Sequence, residues 1–260
     1  AYHTHSVMTQ SNCSHCDADP GSDDPVDGFV GYAERIEAWK QGDLPAWDSA
    51  VSGPASKLEH VQPFIAFLSA WIANHSITSV VDVASGHWPS GFQRGVHWSN
   101  AAYVGIDITA ANIEANEEFF RQHSPGEFGL KGAQFQIGDL MKPLPSADLL
   151  FTKDTLIHLP HWAIMKFVHT NVLVCPPRFK HILFVMDRPP EWKYRWGKVP
   201  VIRRIVRNWD IKRFGQMHEI DLRVSPYLLD AEHIYQFDSS TRADRRMDNP
   251  KVVQYFKPGC

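Results

Sequence analysis

Between residues 79 and 187 the apolar positions follow two alternating patterns. Short β-branched and aromatic runs at 79–84, 103–108, 133–137, 147–152 and 181–187 read as strands. The stretches 109–122 and 161–174 carry apolar residues at helical spacing instead. Thr109 is a candidate N-cap for a helix over 110–120 that buries Ile113, Phe119 and Phe120. Pro160 suits the first residue of the later helix, whose apolar face is Trp162, Met165, Val168 and Val172. Residues 217–222 and 252–256 read as a final antiparallel pair. Strands alternating with helices of this length predict parallel βαβ units. The expected fold is therefore α/β, a Rossmann-like doubly wound sheet of seven strands, mostly parallel, with an antiparallel final strand.

Upstream, Ser56 with Glu59 has the spacing of a capping box, and Leu58, Val61, Ile65, Leu68 and Ile72 follow at helical spacing. Pro63 interrupts that pattern, which predicts either a kink or a separate short first helix. Residues 1–28 are rich in Ser, Asp, Pro, Gly and His and read as a mobile tail before one main domain over 29–260. The stretch 188–213 breaks the alternation. It holds nine Lys or Arg against Glu191 and Asp210, with Trp192, Tyr194, Trp196 and Trp209 among them. Within it Val201, Ile202, Ile205, Val206 and Trp209 lie opposite Arg203, Arg204 and Arg207, as in a basic amphipathic helix. Such a segment is either a solvated helix packed on the sheet or a cap that attracts an anionic acceptor.

Composition narrows the partners. With 260 residues and 43% hydrophobic content the chain can bury a full core. A net charge of −3 disfavours a nucleic-acid binder, which needs a basic excess. No apolar run is long enough to predict a membrane span, and no leader pattern is read. Cys13, Cys16, Cys175 and Cys260 are too few and too scattered to predict a disulfide scaffold, which leans weakly towards a reducing, cytoplasmic setting. Cys13 and Cys16 with nearby histidines form only half of a zinc ligand set, so no metal is expected there.

The chemistry gathers where strands end. The run 80–86 closes on Ala84, Ser85 and Gly86, small residues that let a ligand approach the backbone, and the run 103–108 closes on Asp107 and Ile108, a carboxylate suited to ribose hydroxyls. NAD, a nucleotide and S-adenosylmethionine (SAM) are all candidates for such a crevice. Neither the three-glycine dinucleotide spacing nor the phosphate-binding Gly-Lys-Ser/Thr pattern is present. Gly138-Asp139-Leu140 and Lys153-Asp154 add polar groups at the same sheet edge, and Asp139 could accept from an adenine amino group.

In these residues the chain resembles the class I SAM-dependent methyltransferases over roughly 52–187. Asp82 to Gly86 match that family's first-strand turn, Asp107 its ribose acid and Asp139 its adenine contact. Residues 147–159 look like its fourth-strand turn beside the methyl group. A narrower, mostly bacterial and viral group is also similar. It has a Ser-Gly-Pro-x-Ser-x-Leu-Glu entry, here Ser52 to Glu59. It has a Lys/Arg-Asp-x-Leu-x-His-Leu turn, here Lys153 to Leu159, and a late Asn-x-Asp-Ile with Gly, here Asn208 to Ile211 with Gly215. Where that group carries Cys-Gly-Asp in the first turn, this chain has Ser85-Gly86-His87.

The resemblance implies SAM as cofactor, with Asp82, Ala84, Gly86, Asp107, Ile108, Asp139, Leu140 and Lys153 around it. The leading expectation is methyl transfer to a hydroxyl of a small-molecule or saccharide acceptor, with Asp154 and His158, one turn apart if the segment is helical, as catalytic groups. Ser52, Ser56, His87, Trp88 and Arg188 are the expected acceptor contacts, Arg188 facing an anionic group. Other readings are a cofactor-binding scaffold without catalysis, a nucleic-acid methyltransferase using 188–213, and a divalent metal held by Asp154, His158 and His87.

Overall fold

The computed structural model describes residues 56–188, 208–211, 214, 216–238 and 250–260. The expectations for the tail with Cys13 and Cys16, for Ser52, for the basic amphipathic helix and for most of 188–213 lie outside these residues.

Five parallel strands form as the alternating runs predict: β1 (Ser79–Val83), β2 (Ala101–Asp107), β3 (Leu130–Ile137), β4 (Ala147–Lys153) and β5 (Phe179–Asp187). With β6 (Glu232–Phe237) and β7 (Lys251–Phe256) they make one sheet in the order β3-β2-β1-β4-β5-β7-β6. Only β7 runs against the rest, pairing antiparallel with β5 on one side and β6 on the other. This is the Rossmann-like methyltransferase fold. The strand order reverses between β1 and β4, and in open α/β sheets ligands bind at the carboxyl ends of the strands flanking such a reversal.

Side-chain alternation builds a core on each face. Val81, Val83, Leu150, Ile182, Phe184 and Met186 pack under α3 (His161–Phe167), which continues as a π-helical turn over Val168–Val172. Val80, Leu149, Phe151, Leu183 and Val185 pack on the other face, under α1 (Gln62–Asn74), Trp88 and Ile113 of α2 (Ala110–Gln122). Among the described residues no helix is long and apolar enough to cross a membrane.

Several local expectations need correction. Ser56 and Glu59 form no capping box: a short 3-10 turn spans Leu58–His60, Lys57 precedes it, and no side chain caps it. Of the two outcomes expected at Pro63, the separate short helix is the one found: the 3-10 turn Leu58–His60 precedes α1, and Pro63 sits in the first turn of α1, where a missing N–H costs nothing. Pro160 is the N-cap of α3 rather than its first residue.

Residues 217–222 are not a strand. Their backbone turns to the loop after β4, with the His218 N–H donating to the Ile157 carbonyl, and the Leu222 N–H reaches β7 only through the Gln254 side chain. Burial of His218, Ile220 and Leu222 mimics strand alternation without a ladder. The strands beside β7 are β5 and β6. Finally, Cys175 and Cys260 form a disulfide with their Cα atoms 5.7 Å apart, so the scattered cysteines do include a cross-link.

Candidate functional site

The strands on either side of the order reversal leave the sheet through non-glycine residues in the left-handed region. Ala84 after β1 has φ 60° and Asp154 after β4 has φ 57°. An L-residue there is strained, and such strain persists only where surrounding contacts hold it. Gly86, with φ 63°, completes the first turn at no steric cost.

Asp107 provides the contacts that hold the first turn. One carboxylate oxygen accepts from the Gly86 N–H at 2.8 Å, and the other accepts from the Thr109 N–H at 2.9 Å and from Asn112 Nδ2 at 3.2 Å. Burial raises its pKa, and the two backbone hydrogen bonds act in the opposite direction. From α2, Asn116 completes the clamp, its Nδ2 donating to the Gly86 carbonyl and its Oδ1 accepting from the Trp88 N–H. At the exit of β3 the Gly138 N–H donates to the Asp107 carbonyl, and Asp139 accepts from the Met141 N–H at 2.8 Å. Ala84, Gly86, Asp107 and Asp139 therefore share one sheet edge, beside half-buried Ile108 and Leu140.

Asp82 behaves differently. The two-residue period of β1 places it with Val80 on the face covered by Trp88, where its Oδ2 accepts from the Tyr103 hydroxyl at 2.5 Å and from Gln93 Nε2 at 3.2 Å. The same Gln93 nitrogen donates to the Ser85 carbonyl at 2.8 Å, so Asp82 braces the turn from beneath. Burial pushes its pKa up to about 7.

Four charges meet below the second exit. Lys153 Nζ lies 2.5 Å from Asp154 Oδ2, and Lys251 Nζ lies 2.6 Å from Asp154 Oδ1 and 3.0 Å from Asp187 Oδ1. Although burial opposes it, the two lysines hold the Asp154 carboxyl down to about 2. Burial lowers the pKa of Lys153, whereas Asp154 and Asp187 outweigh burial at Lys251 and raise it. Asp154 is thus a poor proton acceptor near neutral pH, and its geometry is that of an anchor for the turn.

His158 follows in a 3-10 turn, Leu156–His158, half-buried, with Nδ1 3.1 Å from the Gln216 carbonyl. A carbonyl only accepts, so Nδ1 carries the proton and Nε2 of the neutral ring offers a lone pair. Burial lowers its pKa, which favours that neutral form.

The expected acceptor contacts scatter. Trp88 is fully buried, with Tyr103, Phe120 and Phe128 packed edge-on around it, and belongs to the core. His87 is buried, with Nδ1 2.8 Å from Ser90 Oγ. Ser56 is half-buried beside the 3-10 turn. Arg188 leaves β5 with its N–H on the Pro250 carbonyl and Nη1 3.3 Å from Gln236 Oε1. Among the described residues no group of three or more His, Cys, Asp or Glu is placed to hold a metal ion.

The sequence reading missed Gln93, Asn112, Asn116, Asp187 and Lys251. Asn112 and Asn116 carried a signal, two amides four residues apart on the side of a helix that also presents Ile113. Lys251 lies 97 residues from Asp154, and no local pattern links them.

A cofactor with an adenosyl group fits the edge on two counts. Asp107 Oδ2 has accepted one hydrogen bond and can accept another. Ser85 Oγ and Asn112 Oδ1 are buried with no hydrogen-bond partner, a cost that a polar ligand at this turn would relieve.

Neither a family model nor a curated protein matches the sequence. Solved structures do. Magnesium protoporphyrin IX methyltransferase from Synechocystis PCC 6803 with bound SAM superposes with a TM-score of 0.55 at 13% identity, over 92% of this chain and 99% of that one. The same protein with bound SAH gives 0.53 at 15% identity, over 90% and 97%. The bifunctional kinase-methyltransferase WbdD gives 0.50 at 14% identity, over 85% of this chain and 46% of that one. The likeness is one of fold.

Proposed function

We propose that this chain is a SAM-dependent methyltransferase that methylates a hydroxyl of a small-molecule or saccharide acceptor. The observation that carries the reading is the pair of strained exits, Ala84 and Asp154, on the two strands flanking the order reversal, with Asp107 beside one and His158 beside the other. When bound, SAM supplies a methyl group already activated by the sulfonium. The protein's task is then alignment and removal of one proton.

In this reading the first turn, locked by Asp107, Asn116 and Gln93, holds the methionine part of the cofactor. Asp107 receives the ribose hydroxyls through its open lone pair, and Asp139 faces the adenine. Lys153, Asp154 and Lys251 fix the second exit, which sets the direction of the His158 ring. His158 Nε2 takes the acceptor proton while Nδ1–H stays on the Gln216 carbonyl, and its lowered pKa keeps it neutral at a pH where a free imidazole is partly charged.

Calorimetric titration with SAM tests the reading. The parent chain is expected to bind, and Asp107→Ala to weaken binding by about tenfold or more, as the loss of a charge-assisted hydrogen bond predicts. Absence of binding by the parent, or equal binding by the variant, overturns it.

A further inference from the structure

The loop that leaves β3, Gly138-Asp139-Leu140-Met141-Lys142-Pro143-Leu144-Pro145, carries Asp139 and Leu140, both expected around the cofactor, and its backbone can be accounted for group by group. Pro143 and Pro145 donate nothing. The Met141 N–H goes to Asp139 Oδ1 at 2.8 Å and the Lys142 N–H to the Asp139 carbonyl at 2.9 Å. The Leu144 N–H, between the two prolines, goes to Asn171 Oδ1 at 2.8 Å. Of the carbonyls, Leu140 and Lys142 accept from Asn171 Nδ2 at 2.9 Å and 3.0 Å, and Leu144 accepts from Arg178 Nη1 at 3.2 Å. One amide side chain thus holds the loop at three points.

Asn171 is 1% exposed and belongs to the stretch that gives Val168 and Val172 to the core. A buried amide in such company is tolerated only when its donors and its acceptor are used, and all three of these bonds go to this one loop. The helix is also shaped for the purpose. The Leu173 N–H donates to the Val168 carbonyl five residues back and closes the π-helical turn that contains Asn171, a rare geometry found often at functional sites.

We infer that Asn171 is a positioning residue for recognition of the adenine 6-amino group, acting through Asp139. The inference rests on the methyltransferase reading and gives its cofactor site a source of selectivity. Asp139 spends one carboxylate oxygen on the Met141 N–H, inside the turn that Asn171 holds, and this fixes where the second oxygen stands. A fixed acceptor takes a hydrogen from an amino group and repels a carbonyl oxygen at the same place. A carboxylate on a loose loop swings away from the mismatch and discriminates little.

Calorimetric titration of the full chain with S-adenosylhomocysteine (SAH) and with S-inosylhomocysteine, which carries a 6-oxo group in place of the amino group, tests the inference. The parent is expected to prefer SAH by about tenfold or more. Asn171→Ala, which removes all three hydrogen bonds, should bring that preference to within about threefold of unity. Arg178→Met loosens the same loop at its far end and should leave the preference within about twofold of the parent's, a split that loss of stability alone does not produce. An unchanged preference in Asn171→Ala overturns the inference, and so does an equal loss in Arg178→Met. If Asn171→Ala does not fold, amide hydrogen exchange of the free parent decides. The Leu144 N–H should then exchange within about tenfold of the buried amides of β4, and exchange at the rate of an exposed amide overturns the inference. A parent that binds SAH and S-inosylhomocysteine alike also overturns it, while the cofactor reading stands. Binding of neither ligand overturns the methyltransferase reading and the inference with it.

Discussion

Asp82 sits among Val80, Tyr103 and Trp88, where burial outweighs its two hydrogen bonds and the pull of Lys153, so its carboxyl is pushed up to about 7 from the ordinary 3.8. The folded state therefore keeps a proton between about pH 4 and pH 7 that the unfolded chain has released. Stability from this group is fully present below the unfolded value and is lost as the pH rises through 7. Denaturant titrations across this window are expected to show a decline on the order of a few kcal/mol from this group. Asp82→Asn, which still accepts from Tyr103, should flatten that decline. An unchanged slope in the variant would mean that Asp82 is already ionised in the fold. From the sequence, Asp82 looks like a ligand contact, because an acid ending a strand before a small-residue turn carries that meaning. Which face of the strand it occupies depends on whether the sheet is covered there, and the cover, Trp88 and Gln93, comes from a turn whose path no periodicity announces.

At the scale of elements, the five parallel strands and α2 were legible, because period-two and helical patterns persist long enough to exclude each other. The failures share a cause. Residues 217–222 alternate in burial like a strand, yet the Ile157 carbonyl, the Trp209 and Leu159 carbonyls around the His218 ring, and Gln254 satisfy them. Side-chain burial is readable from a local pattern; the identity of the hydrogen-bond partner is not. The same limit hid Lys251, which joins β7 to the exits of β4 and β5. Lys251→Met leaves Asp154 with one lysine and breaks the ion pair of Asp187, so the unfolding free energy is expected to fall by about 3 kcal/mol, as when one partner of a buried ion pair is removed. Urea denaturation measures it, and a change below about 1 kcal/mol would show that the cluster tolerates the loss.

Across the whole molecule, the disulfide joins the segment between α3 and β5 to the residues after β7, closing a loop across 85 residues. Cysteine count alone gave no sign of this pairing, because proximity of the two positions follows from β7 lying against β5. Cys260→Ser is expected to lower the unfolding free energy by about 2–4 kcal/mol and to abolish any sensitivity of this linkage to reductant. Equal stability of parent and variant under oxidising conditions would show that the cross-link contributes nothing.

The strand order carries a further consequence for how the chain assembles. Of the three strands β5, β7 and β6, the one in the middle is the last to be synthesised. Until it emerges, β5 keeps an open edge of backbone N–H and carbonyl groups, and β6, though already made, has no strand to join. The nascent protein must therefore pass through an interval in which a nearly finished sheet is sticky along one border, and chaperone demand should peak there rather than during formation of the half built from β1, β2 and β3.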